Sequence, residues 1–291
     1  MTVQDVAKNL KMGWHTVKAI DKTYLEKHFS RPPLRHVQYL GIDEFAVQKG
    51  HKYNTIVVDL GTGAVLYVGD GRSAESLKPF WKRLKSSGAK IKAVAMDMWP
   101  AYIEAVTTNL PGVDIVYDHF HIVKNLNAAL DEVRRDMCRQ ETDLNRRSVI
   151  KGKRWLLLKN SQNLNEKKNE KALLQDALKM NEPLAAAYYL KEELRLLWDC
   201  KEPAQAEDFL HSWAAKARLT GLKAMNRFAN SLMGHRSGIL NYFRHRISTG
   251  MVEGINNKIK VLKRKAYGFR DNAYFKLKIL ALNKVRYAFL L

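Results

Sequence analysis

Three carboxylates differ from the other acids of this sequence in their surroundings. Asp43 lies in YLGIDEF, Asp97 in AVAMDMW, and Glu253 in STGMVEGINNKIKVLKRKAYGFR. An acid flanked by apolar residues on a buried strand is costly unless it is paired or holds a cation, and both aspartates have that setting. Glu253 is the single acid among the six cations of residues 248–270. Brought together, three carboxylates repel one another and raise each other's pKa values. Divalent cations relieve that repulsion. Mg²⁺ suits such a site because it takes oxygen ligands and keeps waters for a phosphate substrate. Two ions about 3.5–4 Å apart clamp the attacking and leaving oxygens of an in-line phosphoryl displacement. On this reading Glu253 holds metal, and Lys258, Lys260, Lys263, Arg264, Lys265 and Arg270 hold a phosphate backbone. The competing reading is a solvated basic helix with one salt-bridging Glu. Asp59 and Asp70 also follow strand-like runs, but each precedes a glycine turn, which accounts for both.

These acids need elements that place them. Residues 36–45, 52–60 and 64–69 are rich in β-branched and aromatic residues, with Lys49-Gly50 and Gly61-Thr62-Gly63 between them, the pattern of an antiparallel meander. Residues 73–87 have helical periodicity, 91–97 read as a buried strand ending at Asp97, Pro100 suits a helix start, and 113–118 form a fifth short strand. If the first and fourth strands are neighbours, Asp43 and Asp97 converge. From about 120 to 245 strand signals vanish and the chain reads as helices, with Trp155, Trp198, Trp213, Tyr188 and Tyr189 as mostly core aromatics. Val252, Ile255, Ile259 and Leu262 then recur at helical spacing, with Glu253, Asn257, Lys260 and Arg264 on the border of that stripe. Ser248 or Thr249 is expected to cap this helix and Gly254 to permit a close approach beside the acid. Helical signals run on through residues 274–291.

Residues 2–29 read as two helices around a turn, with Ala7, Leu10, Met12, Val17 and Ile20 where a helix-turn-helix buries its core. His15, Thr16 and Lys18 then begin a recognition helix; an ordinary helical hairpin fits the same pattern. Pro32 and Pro33 make 30–36 a linker. Fifty Lys and Arg against twenty-nine Asp and Glu give +21, which points to a polyanionic partner. The sequence has no signal peptide and no apolar run long enough to span a bilayer, and Cys138 and Cys200 lack metal-type spacing. A cytoplasmic protein is expected.

The set GIDE at 41–44, AMDMW at 95–99, YDHFHIVK at 117–124 and the 248–270 stretch resembles the DDE transposases of bacterial insertion sequences, closest to the ISL3 type, over roughly residues 37–285. The resemblance implies an α/β, ribonuclease-H-like mixed sheet with flanking helices and a large helical insertion, and Asp43, Asp97 and Glu253 as its catalytic, metal-holding acids. It implies Mg²⁺ or Mn²⁺ in two sites, DNA as partner, a nucleoid-associated location and a homo-oligomer assembled on DNA. It also matches Asp118 and His121 to a C/D-x-x-H motif, with His121 as a further catalytic residue. A helix-capping Asp118 and a packing His121 explain the same pair.

Members usually begin with a Cys-rich zinc ribbon, which this sequence does not carry ahead of its helix pair; a truncated copy, a mis-started frame or a trimmed variant is expected. The domain expectation is a partial helix-turn-helix at 1–29, a linker at 30–36, the catalytic core at 37–119 and 246–291, and the insertion at 120–245. The function expected is cleavage at transposon ends and strand transfer. The alternatives are a nuclease without strand transfer and a decayed transposase that only binds DNA.

Overall fold

A computed structural model of the chain describes residues 2–48, 50 and 52–282. Two helices open it, α1 (Val3–Asn9) and α2 (Trp14–Phe29). They are followed by β1 (Tyr39–Gln48), β2 (Lys52–Asp59), β3 (Val65–Asp70), α3 (Lys78–Ser87), β4 (Ala93–Met96), α4 (Pro100–Asn109) and β5 (Asp114–Tyr117). Eight α-helices come next among the described residues. They are α5 (His119–Gln140), α6 (Leu144–Gly152), α7 (Arg154–Leu158), α8 (Glu170–Lys179), α9 (Glu182–Leu194), α10 (Pro203–Leu219), α11 (Lys223–Gly234) and α12 (Arg236–His245). Two more, α13 (Gly250–Lys265) and α14 (Asn272–Leu280), close the described chain. Lys49, of the expected first turn, and residues 283–291, of the expected last helix, lie outside the described residues. The chain divides into two compact units, 1–116 with 247–291, and 117–246.

In the first unit the strands lie in the order β3-β2-β1-β4-β5. β1–β2 and β2–β3 pair antiparallel, as tight turns allow, while β1 and β4 pair parallel after the α3 crossover. The sheet is therefore mixed, with helices packed on it, in the α/β class. One face buries Phe45, Ile56, Val58 and Val65 against Val252, Ile255 and Ile259 of α13 and Phe275 and Ile279 of α14. The apolar stripe read from the sequence is what docks α13. Gly41 makes that docking close: a Cβ there would lie 2.5 Å from Val252 Cγ2 and 2.8 Å from Leu60 Cδ2. Gly254, expected to permit an approach, faces open space instead. Thr249 is the residue before α13, but its side chain makes no capping bond.

The N-terminal helices differ from expectation. Ala7 and Val17 are buried, whereas Leu10, Met12 and Ile20 are exposed. α2 instead buries Leu25 and Phe29 against Tyr274, Leu277 and Ala281 on and just after α14. A seven-residue α1 covers only one end of a sixteen-residue α2, so α14 decides which face of α2 is inside. Asp271, at the N-cap of α14, ties this together. It accepts from the Tyr274 amide and pairs with Lys18 and Lys22, both at 3.0 Å. Those bonds, the amide first, hold its carboxyl below the usual range.

Beyond Tyr117, the last residue of β5, every element of the second unit is a helix. Trp213 is fully buried and its indole N–H donates to the Leu190 carbonyl at 2.9 Å. Tyr188 is buried too, but Trp155 and Tyr189 are exposed. Their neighbours Arg154 and Tyr188 explain how: Arg154 stacks on the Trp155 ring at the surface, and Tyr188 takes the inward position next to Tyr189. Lys191 is 2% exposed. Its ammonium donates to the carbonyls of Leu157 (2.9 Å) and Lys159 (2.6 Å) and lies 2.7 Å from Glu192. Two carbonyls and a carboxylate thus face the ammonium, although burial still pulls its pKa down.

Candidate functional site

The parallel β1–β4 ladder sets the site. Gly41 lies opposite Ala95, so Asp43 and Asp97 are each two residues further along neighbouring strands and share a side. β4 ends at Met96 while β1 continues to Gln48. Asp97 therefore sits just past a strand's carboxyl end, where open α/β sheets hold their ligands. The structure brings one carboxylate oxygen each of Asp43, Glu44 and Asp97 within 4.8 Å of one another. All three residues are half-buried. Asp43 Oδ1 accepts from the Glu44 amide at 2.8 Å, and Asp43 Oδ2 accepts from Asn256 Nδ2 on α13 at 2.7 Å.

Glu44 was not singled out in the sequence. Strand alternation turns it toward the opposite face from Asp43, which argues against a shared site. Beneath it lies a buried hydroxyl cluster. Tyr102 of α4 bonds Glu44 and lies 3.0 Å from Thr55 Oγ1, which is 3.2 Å from Ser76 Oγ. Burial first, then the charges of Glu44 and Asp43, push the Tyr102 phenol far above its usual range. Tyr102 thus stays protonated and serves Glu44 as a fixed donor. The sequence signal was present in the adjacent acids of GIDE, but only the short β4 ladder lets Glu44 reach Asp97.

Glu253 is exposed on the first turn of α13, one turn before Asn256, and is not in the 4.8 Å group. Asn257, Lys260 and Arg264 are exposed along the same edge of the helix, as expected. Lys258 and Lys265 are exposed as well; Lys263 is half-buried and donates to the Val47 carbonyl. Arg270 lies in a groove of about 550 Å³ shared with Lys52, Lys263 and Asp70. A second groove of about 1200 Å³ is lined by Trp14, Lys18, Lys265, Tyr267, Arg270 and Lys278, among others. Tyr267 is fully exposed there with φ of 49°. No sequence rule singled it out, because a lone loop tyrosine has no periodicity. His15 and Thr16 are exposed at the start of α2, while Lys18 is committed to Asp271.

Of the two turn acids, Asp59 accepts from the Gly61 amide and Thr62, as turn chemistry requires. Asp70 does something else: it pairs with Lys276 at 2.6 Å and accepts from Asn272, which lowers its pKa. In the second unit, Asp118 precedes α5 but makes no side-chain capping bond. It is buried, and its Oδ2 lies 2.9 Å from His121 Nδ1. Cys138 and Cys200 are free thiols.

Residues 40–279 match the family model of the ISL3-type DDE transposases. The chain belongs to this family. It is 44% identical over 282 residues to the transposase for insertion sequence element IS1001 of Bordetella parapertussis, covering 96% of this chain and 69% of that protein. It is 30% identical over 294 residues to the transposase for insertion sequence element IS1557 of Mycobacterium tuberculosis, covering 91% of this chain and 65% of that one. The chain thus spans about two thirds of the length of these transposases. Among solved structures it is similar to the Drosophila P element transposase strand transfer complex, with a TM-score of 0.44 and 10% identity over 90% of this chain and 80% of that one. For an ISL3-type transposase, the donor chemistry of the acid group fits a hard divalent cation, since every ligand atom it offers is oxygen. No described helix is long and apolar enough to cross a membrane.

Proposed function

We propose that this transposase cleaves DNA strands at transposon ends and joins the freed ends to target DNA, with Asp43, Asp97 and Glu253 as its metal-holding acids. The observation that carries the proposal is the meeting of Asp43 and Asp97 at the end of the parallel ladder. With Glu44 they form a concentration of negative charge that needs a cation. Bound there in two sites, Mg²⁺ or Mn²⁺ would supply positive charge to the attacking and leaving oxygens of a phosphodiester. Asp43 enters this role with its carboxylate already oriented by the Glu44 amide and Asn256. Glu253 is assigned from the family motif and from its place on α13, one turn from Asn256. His121 is assigned from the motif it forms with Asp118.

The sheet is assigned to the ribonuclease-H-like class; an antiparallel β1–β3 meander followed by a β4 parallel to β1 supports this. The catalytic core is taken as 37–119 with 246–291, the insertion as 120–245, and 1–29 as a partial helix-turn-helix after which 30–36 is a linker. DNA is the partner. Lys258, Lys260, Lys263, Arg264, Lys265 and Arg270 contact its backbone, and His15, Thr16 and Lys18 begin a recognition helix. The net charge of +21 and the basic grooves with an exposed Tyr267 support that path. A homo-oligomer on DNA, in the nucleoid of a bacterial cytoplasm, completes the reading.

The test is cleavage of labelled transposon-end DNA with Mg²⁺ or Mn²⁺, followed by joining to a target plasmid. Cleavage and joining by the wild type, both lost in Asp43→Asn with DNA binding retained, is the expected result. Cleavage without joining indicates a nuclease, and binding alone a decayed transposase. His121→Ala is assayed alongside for both cleavage and melting. Lower cleavage at unchanged melting is expected; lower melting with normal cleavage per folded molecule makes His121 structural.

A further inference from the structure

Asn256 sits on the buried stripe of α13, where the neighbouring inward residues are Val252, Ile255 and Ile259. It is 6% exposed. A buried amide among aliphatic neighbours needs partners for both of its polar atoms. Its nitrogen has them: Nδ2 donates to Asp43 Oδ2 at 2.7 Å and approaches the Glu44 carbonyl at 3.4 Å. The amide orientation follows from chemistry, because a carboxylate and a carbonyl only accept, so the NH₂ group must face them. Its oxygen, Oδ1, is buried and has no hydrogen-bond partner among the described residues. One end of the side chain thus locks the acid, and the other is an oxygen donor still to be used.

We propose that Asn256 is a positioning residue of the metal site, fixing the Asp43 carboxylate for a divalent cation through its Nδ2 donor. The inference rests on the metal-site reading of Asp43, Glu44 and Asp97 and goes beyond it. Two geometric facts favour this over simple core filling. Asp43 receives one donor on each oxygen, from the Glu44 amide and from Asn256, so its plane is set before any cation binds. In addition, Gly41 lets Val252 press onto β1, one turn ahead of Asn256, so the helix reaches Asp43 only because that Cβ is missing. Partners that orient a metal's ligands commonly change affinity about 10–100-fold when removed. The same contact ties α13, and with it Glu253, to the strand that carries the first acid.

The experiment uses the full chain without DNA and follows Mn²⁺ binding by calorimetry, with thermal melting beside it. Asn256→Ala is expected to weaken Mn²⁺ binding about tenfold or more. Asn256→Asp puts a second carboxylate against Asp43; its melting temperature is expected to fall without cation and to recover on adding Mn²⁺ by more than the wild type gains. A merely structural amide lowers melting in both variants equally with and without Mn²⁺ and leaves affinity within about twofold of wild type, which overturns the proposal. Wild-type protein that binds no Mn²⁺ overturns the metal-site reading itself and this inference with it. Wild-type binding with unchanged affinity in Asn256→Ala overturns the role of Asn256 alone.

Discussion

Two regions of this molecule bury charge, and they do so in opposite ways. In the helical unit, Lys191 is enclosed, and its ammonium meets two carbonyls and one carboxylate, all of the opposite polarity. In the sheet unit, Asp43, Glu44 and Asp97 turn carboxylate oxygens toward one another. The first arrangement is self-sufficient and holds α7 to α9. The second sets like charges side by side, the arrangement that the proposed divalent cation would relieve. A buried charge met by opposite polarity is a feature of architecture, and a cluster of like charges held together by the fold is where a site is to be sought. The distinction lies in the sign of the surroundings, since both groups are polar and withdrawn from solvent.

The largest expected effect breaks the acid cluster. Asp97→Asn should reduce cleavage to background and remove most of the rise in melting temperature that millimolar Mg²⁺ gives the wild type, because a ligand that binds only the folded state stabilises it in proportion to its affinity. A normal Mg²⁺ response in this variant would place the cation elsewhere. Next, Lys191→Met leaves two buried carbonyls and Glu192 without their donor and should cost about 3–5 kcal/mol, the range for removing one partner of a buried pair. Chemical denaturation measures it. The Mg²⁺-induced rise should survive in this variant, which is the opposite response to Asp97→Asn and makes the pair of variants a direct test of the contrast.

A smaller effect concerns the basic edge. Lys263→Ala with Arg264→Ala should flatten the salt dependence of DNA binding, by about 0.9 in the log–log slope for each phosphate that is no longer neutralised. Since Lys263 already donates to the Val47 carbonyl, most of the change should come from Arg264, and single variants followed by titration at several salt concentrations separate them. The smallest effect is at the α2–α14 junction. Asp271→Ala removes an N-cap and should cost about 1 kcal/mol at neutral pH. The folded Asp271 carboxyl is held below 3.8, so its stabilisation is complete above the unfolded value and is lost as pH falls through the folded one. Wild-type and variant melting curves should converge as the pH drops below about 4.

Much of the sheet was legible because strands with β-branched residues between glycine turns leave a local mark. The α13 stripe was legible for the same reason: helical spacing of Val252, Ile255 and Ile259 records which side is buried. The N-terminal helices lie where the sequence puts them, but of their expected core only Ala7 and Val17 are buried. Leu10, Met12 and Ile20 have apolar side chains, yet α14 covers Leu25 and Phe29 instead. Nothing local to residues 2–29 encodes a helix that begins at residue 272. Trp155 and Tyr189 failed for a related reason, since an aromatic ring is compatible with either side of a surface helix.

Residue type and spacing alone establish the chemistry available: acids isolated in apolar strands, a basic helix with one carboxylate, and a charge that calls for a polyanion. Those are properties of residue type and spacing, which the chain carries whatever its partners. Which atoms meet depends on the folded chain. The parallel register of Gly41 with Ala95 brings Asp43 to Asp97, and the early end of β4 admits Glu44 from the other face. Close packing of Val252 over Gly41 carries Asn256 to Asp43 across more than two hundred residues of chain. A hydrogen bond acts over about 3 Å of space regardless of separation in sequence, so its partners become visible only once the chain has folded.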